Sequence, residues 1–435
     1  MLPPGPSEPA ALQTLEWALR PTALLRRCAR RHGEAFTLRL SFDDAPMACL
    51  WSPQAVADVF SAPPGVLRRG ESPGPLRPVA GARSILLADG AEHLRMRRLM
   101  LPPFHGERLR ALRGRVAARA ADAAEAWPAG HPVALLGELQ RVALDIALDA
   151  LLGPDGDGLA APVRATLDRV RSAPRVAAMT LVQRDLGPRS PWGAFLRDVR
   201  AVDDALGAVI ARRRAGAPAG DTGTGGRPRD VLDDLLAARD SGGAPLADRE
   251  VRDHVVTLLA AGHETTAGAG AWALERLARA PGWARRIRYG DDEALDAVVH
   301  ETLRVRPVLT VAPRRLAEPL NAGGVDLPAG VHVAPCLYLV QRHPALWPQP
   351  AAWRPERWLG PDAARPEAPG WVPFGGGVRR CVGAAFALME LRELLRAVLA
   401  RWELAPARPA GERMRRRGIT LQPERGAAIV LRPSS

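Results

Sequence analysis

One cysteine of this chain stands where its chemistry can change. Cys381 ends the glycine-rich run Phe374-Gly-Gly-Gly-Val-Arg-Arg-Cys-Val-Gly383 and directly precedes residues 384–399, a stretch rich in Ala, Leu, Met, Glu and Arg that reads as a helix. A thiolate needs help to persist near neutral pH. A helix N-terminus gives that help through free backbone N–H groups and the positive end of the dipole. Such a thiolate is a strong, electron-donating axial ligand for haem iron and favours O–O cleavage over oxygen storage. The neighbours suit the task. Gly375, Gly376 and Gly377 let the backbone bend and approach a flat ligand. Phe374 can shield the sulfur, Arg379 can meet a propionate, and Gly383 leaves room where the new helix meets a macrocycle.

A second chemical segment lies in a long helical pattern. Asp248 is a candidate N-cap, the pattern runs to about residue 279, and Pro281 follows. Thirty residues of helix span roughly 45 Å, enough to cross a domain. Its middle reads Ala261-Gly-His-Glu-Thr-Thr266 inside an otherwise apolar run. An acid and two hydroxyls are costly to bury there unless they serve something. Gly262 thins the helix, and Thr265 can bend it through a hydroxyl-to-backbone bond, opening space for a diatomic ligand. Further along, Gly268-Ala-Gly270-Ala-Trp-Ala273 matches a dinucleotide fingerprint but sits in mid-helix with no strand before it, so that reading is discarded.

These segments need a large scaffold, and the composition allows one. Of 435 residues 47 % are hydrophobic, enough for a substantial core, and no run approaches the ~20 apolar residues of a membrane span. The N-terminus lacks a basic and apolar signal segment, so a cytoplasmic protein without a transmembrane anchor is expected. Cys28, Cys49, Cys336 and Cys381 are widely spaced, which disfavours a zinc ribbon or an iron–sulfur cluster. The net charge is +13 and every Lys-or-Arg position is arginine. Bias toward Ala, Arg, Pro and Gly throughout accounts for this better than nucleic-acid binding does, and an acidic electron donor would also be attracted. Residues 1–11 read as a disordered leader, 12–31 as a helix, 36–40 and 47–51 as strands, and 90–100 as a helix. Residues 215–228 read as a mobile surface loop, and 323–335 and 418–431 as β-rich. The expected fold class is mainly α with small peripheral sheets, in one domain.

The cysteine segment matches Phe-x-x-Gly-x-Arg-x-Cys-x-Gly, and the helix segment matches Ala/Gly-Gly-x-Asp/Glu-Thr-Thr/Ser, at every specified position. The chain thereby resembles the cytochrome P-450 superfamily, in its soluble bacterial form, from about residue 12 to 431. The resemblance implies haem b held by Cys381, with Phe374, Gly375, Arg379, Gly383, Ala261 and Gly262 around it. It implies that Thr265 handles bound oxygen and that Glu264 relays protons. Glu301-Thr-Leu-Arg304 and the later Arg357 resemble a structural Glu–Arg–Arg triad. His93 and Arg97, four apart on a helix, resemble a propionate-binding pair, and Arg314 falls where another propionate arginine is usual, with Arg315 competing. Ile85, Leu86, Leu87, Ala260, Val308, Leu309, Val311 and Ile419 are the implied substrate walls. The expected reaction is monooxygenation of a hydrophobic molecule such as a terpenoid, fatty acid or polyketide, with O2 as co-substrate. Electrons would come from NAD(P)H through a ferredoxin and ferredoxin reductase docking on a basic face near Arg379 and Arg380, and a monomer is expected. A peroxide-driven peroxygenase is the first rival, opposed by the Glu264–Thr265 pair. The second is a non-catalytic accessory protein, which has no use for a proton relay.

Overall fold

The computed structural model describes residues 1–68, 79–171, 187, 190–216, 229–366, 368 and 370–434. Helices carry most of it. The long helix is present as Asp248–Ala278, and from Thr266 onward every residue but Arg276 is buried. A helix buried on all sides belongs to the middle of a core. Helices Leu135–Leu152, Pro191–Ala215, Asp292–Val305 and Ala384–Arg401 pack around it. At Gly270 a Cβ would lie 3.5 Å from Leu139 and 3.7 Å from Leu391, so this glycine serves close helix packing and not a phosphate.

The cap differs from expectation by one residue. Ala247 is the N-cap, and its N–H donates to Glu250 Oε2 at 2.9 Å, while Asp248 lies in the first turn and pairs with Arg214. A carboxylate three residues into the helix can satisfy the free N–H from below, which frees Asp248 for the surface pair.

Near the N-terminus the single expected helix is two, Ala10–Leu19 and Pro21–His32. Pro21 lacks the N–H that a continuous helix needs and pushes Arg20 out of the helical region. The leader, expected to be loose, is docked along the first strand. Thr37 donates to the Pro3 carbonyl from Oγ1 at 2.7 Å and to the Pro4 carbonyl from its N–H at 3.1 Å. Gln13 Nε2 holds the Glu8 carbonyl at 2.8 Å. Of the loop expected at 215–228, Ala215 closes a helix and Gly216 caps it; residues 217–228 lie outside the described residues.

Among the described residues the largest sheet runs Ala35–Leu38, Met47–Leu50, His332–Pro335, Arg314–Leu316, Leu67–Arg68, with only the second and third strands parallel. A three-stranded sheet (Pro132–Ala134, Ala428–Pro433, Trp402–Pro406) and two hairpins complete the strands. The hairpin Met414–Arg417 with Thr420–Pro423 leans on the central helix.

The central helix also buries His254 completely, with neither ring nitrogen partnered. Burial lowers its pKa from 6.5 to about 4, Glu250 and Asp253 oppose that shift, and Arg95 adds to it. From pH 6.5 down to about 4 the unfolded chain takes a proton that the native imidazole refuses, so stability falls as pH falls, by up to about 3 kcal/mol. Urea unfolding across that window should show this acid limb, and His254→Leu should reduce it, the remainder coming from His93, whose pKa is lowered to about 4 as well. An unchanged limb would mean that another group carries it.

Candidate active site

The cysteine loop is closed by its own backbone, with the Cys381 N–H donating to the Phe374 carbonyl at 2.9 Å. Gly375 and Gly377 take positive φ values of 68° and 62°. Gly376 and Gly377 also lie close to the protein, where an added Cβ would strike Phe60 of helix Pro53–Ser61. At Gly383 an added Cβ would meet nothing within 4 Å. Helix Ala384–Arg401 begins there. The Gly383 N–H bonds the sulfur, as the helix N-terminus requires, and Arg97 and Arg380 add favourable charge. Cys381 is exposed into the cavity, yet the protein crowded around the sulfur desolvates it, outweighs all three and pushes the thiol up, so a bonded cation would favour the thiolate.

Cys381 opens onto a cavity of about 1250 Å³, counting space continuous with solvent. His93, Arg97, Arg314 and Arg379 converge in its wall from three separate segments. Helix Gly90–Met100 puts His93 and Arg97 on one face, four residues apart. Arg314, and not Arg315, lines the cavity, because neighbours on a strand point to opposite sides. Arg97 Nη1 donates to the Arg380 carbonyl at 2.5 Å, and Arg379 reaches the Ala88 carbonyl at 2.6 Å and pairs with Asp89. Arg379 therefore turns inward, and of the expected basic docking pair only Arg380 is exposed. The crowding of cations shows at His93. Burial first, then Arg379, Arg97 and Arg314, lowers its pKa to about 4 against the pull of Asp89.

Opposite the cysteine, Ala261, Gly262, Thr265 and Thr266 of the central helix face the same cavity. Thr265 Oγ1 donates to the Ala261 carbonyl at 2.7 Å, the bond expected to bend the helix. Beside Gly262 an added Cβ would meet nothing within 4 Å. Glu264 does not line the cavity. Its Oε1 accepts from Gln422 Nε2 at 2.9 Å, on the hairpin. Ile85 and Leu86 are held in the wall by contacts the sequence did not suggest. Asp253 Oδ2 accepts the Arg83 N–H at 2.9 Å, and Ser84 Oγ lies 2.7 Å from Thr257 Oγ1. Asp253 and Thr257 are four residues apart on the central helix, a spacing that could have flagged them.

Several expected wall residues lie elsewhere. Leu87 is partly buried outside the cavity, and Ala260 lines a separate small apolar pocket with Val163, Leu167 and Val199. Val308 packs on the main core and its carbonyl accepts the Leu421 N–H at 2.7 Å. Leu309 is half-buried, and neither it nor Val308 reaches the cavity. Val311 joins the N-terminal cluster with Phe36 and Cys336, and Ile419 is 64 % exposed at its hairpin tip. The actual apolar wall adds Met100, Phe104, Ala147, Ala150, Leu151, Leu258 and Phe386. Helix Leu135–Leu152 supplies three of these and carried no chemical signal in the sequence.

Glu301, Arg304 and Arg357 do meet. Arg304 grips the Glu301 carboxylate through two bonds of 2.8 Å, both side chains being fully buried, and Arg357 Nε approaches Oε1 at 3.4 Å. The Arg354 N–H and Trp358 Nε1 also donate to Glu301, at 2.7 and 3.1 Å. From Trp358 a chain of edge-to-face ring contacts runs through Trp371 (5.8 Å) to Phe374 (6.1 Å), at the start of the cysteine loop.

Comparison with known proteins places this architecture. The sequence model of the cytochrome P-450 family matches residues 3–430. Cytochrome P-450 135B1 of Mycobacterium bovis is 36 % identical over 99 % of this chain and 91 % of its own length. Cytochrome P-450 137 of Mycobacterium tuberculosis is 36 % identical over 94 % of this chain and 85 % of its own. Among solved structures, the cyanobacterial CYP120A1 with retinoic acid bound superposes with a TM-score of 0.84 over 100 % of this chain and 99 % of that one, at 22 % identity, a likeness of fold alone. CYP175A1 from Thermus thermophillus gives 0.75 at 26 % identity, covering 97 % of each chain. Relatives this similar over nearly their whole length, on a fold that closes a cavity around Cys381, make this chain a member of the cytochrome P-450 family, haem enzymes that act as monooxygenases.

Proposed function

We propose that the cavity holds haem b through the Cys381 thiolate and oxidises an apolar small molecule at a C–H bond. What supports this reading is the convergence of His93, Arg97, Arg314 and Arg379 on a cavity that Cys381 enters from one side and Thr265 from the other. Four cationic or basic groups gathered around apolar walls call for an anionic ligand, and two propionates answer that need. Space beside Gly262 and Gly383 suits a flat ring between them. When bound, the haem supplies oxygen activation, in which one oxygen atom enters the substrate and the other leaves as water, consuming electrons and protons.

The chain's own share is positioning, proton handling and exclusion of water. The Thr265 hydroxyl spends its proton on the Ala261 carbonyl, so its lone pairs remain to accept a proton-bearing group in the cavity. Glu264, half-buried, adjacent to Thr265 in sequence and held by Gln422 of the hairpin, is a fitting station for protons on their way to that hydroxyl. Ile85, Leu86, Ala147, Ala150, Leu151 and Leu258 form an apolar wall on the Thr265 side, which selects a terpenoid, fatty acid or polyketide over a charged metabolite. Electrons arrive from a ferredoxin and its reductase, Arg380 being part of the cationic face they meet.

The test is an optical titration of the ferric protein with fatty acids, sesquiterpenes and macrolides. A low-to-high-spin shift with one class identifies the substrate family. No shift with any of them, in a protein whose reduced carbonyl spectrum shows thiolate ligation, would overturn the apolar-substrate reading.

A further inference from the structure

Arg306 and Arg342 have no place in the chemistry described so far, and their guanidinium groups meet at one atom. Helix Asp292–Val305 ends at Arg306, and Arg342 follows the short helix Leu337–Val340. Both donate to the Val305 carbonyl, Arg306 from Nη1 at 3.3 Å and Arg342 from Nη2. Arg342 Nη1 also reaches the Tyr338 carbonyl at 2.8 Å. Each guanidinium lies over a buried ring, Arg306 over Trp272 at 4.9 Å and Arg342 over Tyr338 at 4.0 Å. Both residues are half-buried, so solvent reaches them, yet Arg306 Nε is buried without a hydrogen-bond partner.

What the pair lacks is negative charge. Among the described residues neither arginine has a carboxylate partner, and the bonds they make go to backbone carbonyls. The neighbouring acids are taken. Glu275 is held by Arg276 and Arg279, and Glu301 by Arg304 and Arg357. The end of helix Asp292–Val305 presents roughly half a negative charge, which falls short of two cations. Burial, as the leading cause, lowers the pKa of Arg306 to about 10 and that of Arg342 to about 9. Like charge adds to it, from Arg276 at the first and from Arg306, Arg304 and Arg26 at the second; Tyr338 opposes at both and Glu275 at Arg306. Both groups stay protonated at neutral pH, two desolvated cations at one carbonyl.

We propose that Arg306 and Arg342 form a binding site for a phosphate group, carried by the free ion or by a monoester. Planar guanidiniums are matched to oxyanions, and here the rings and the shared carbonyl hold both forks in place before the anion arrives. Each arginine has five N–H donors, more than its carbonyl bonds use, so donors remain for the ligand. Neither residue lines the Cys381 cavity, and the site does not rest on the haem reading. A bound phosphate would neutralise the charge beside Arg304 and steady the helix that carries Glu301, so it should stabilise the folded chain by mass action.

The experiment is urea unfolding of the haem-loaded full chain in sodium phosphate and in sodium chloride at equal ionic strength. Titration calorimetry with inorganic phosphate and with glycerol phosphate accompanies it. Phosphate strengthens burial in any protein, so the comparison is between variants and not between salts alone. Wild type and Arg110→Gln, which alters an exposed arginine elsewhere, should show the same phosphate-dependent rise in the urea midpoint. Arg306→Gln should lose most of that rise and bind phosphate roughly tenfold more weakly or worse. Arg306→Lys, which keeps the charge and loses the fork, should fall between them. Tighter binding of inorganic phosphate assigns the free ion, and tighter binding of glycerol phosphate assigns the phosphate of a larger ligand. Should Arg306→Gln not fold, Arg342→Lys weakens the same site from the other side. An equal phosphate effect in wild type and the Arg306 variants, or no calorimetric binding by wild type, would overturn the proposal.

Discussion

Replacing Cys381 by serine should leave a folded protein that has lost thiolate ligation and, with it, monooxygenation by roughly a thousandfold or more, about 4 kcal/mol of barrier. The sulfur sits on a loop closed by backbone bonds and opens into the cavity, so one oxygen in its place disturbs little packing. What disappears is chemical. The Gly383 N–H, Arg97 and Arg380 favour an anion at this point, and desolvation by the surrounding protein opposes it. A thiol, with an ordinary pKa near 8.5, can be tipped over that balance by bonding to a metal, whereas a hydroxyl, with a far higher pKa, stays protonated. The checks are the reduced carbonyl spectrum, substrate turnover and urea unfolding of the haem-free chain. A serine variant that keeps both the thiolate-type spectrum and turnover would remove Cys381 from the centre of the site. One that fails to fold would show that the loop depends on the sulfur for packing.

Legibility followed the physical nature of each signal. Cys381, Thr265 and the Glu301–Arg304 pair could be read because their chemistry is local: a loop before a helix, a hydroxyl four residues above a carbonyl, an acid three residues before a base. Their meeting with His93, Arg97 and Arg314 was supplied by resemblance, because no local rule brings residues 93, 265, 314 and 381 together. The walls were half visible. Ile85 and Leu86 face the cavity because Asp253 and Ser84 pin their loop, and those are contacts between segments some 170 residues apart in sequence. Val311 and Ile419 were expected there by resemblance, but neither resemblance nor apolarity tells a core from a cavity or an exposed tip. Helix Leu135–Leu152 carried no chemical signal, and three of its residues are wall. Glu264 shows the limit of a motif, since its type and position were read correctly and its direction, toward Gln422, depended on a hairpin some 160 residues away.

Glu301→Gln should be the most destabilising single change in this chain among those considered, costing about 3–5 kcal/mol, the scale for removing one partner of a buried pair. The glutamate carboxylate gathers donors from Arg304, Arg354, Arg357 and Trp358, and amide chemistry cannot accept them all. Arg304 would then stand as a fully buried cation held only by the carbonyls of Gln341, Pro350 and Ala352. Typical domains have 5–15 kcal/mol in all, so the loss is a large share. Arg357 is the weaker member, reaching at 3.4 Å, so Arg357→Ala should cost only about 1 kcal/mol. The damage should travel along the rings: Trp358 donates to Glu301 and meets Trp371 edge to face, and Trp371 meets Phe374 in the same way at the mouth of the cysteine loop. Haem should therefore leave Glu301→Gln faster than wild type even at temperatures where the fold survives, which urea unfolding and the decay of the reduced carbonyl band can follow separately. Replacing Glu301 and Arg304 together by glutamine and methionine should recover part of the stability, because no unpaired cation then remains. If the single Glu301→Gln variant proves as stable as wild type, the pair is dispensable and the loop is held by its backbone bonds and the Phe60 contact alone.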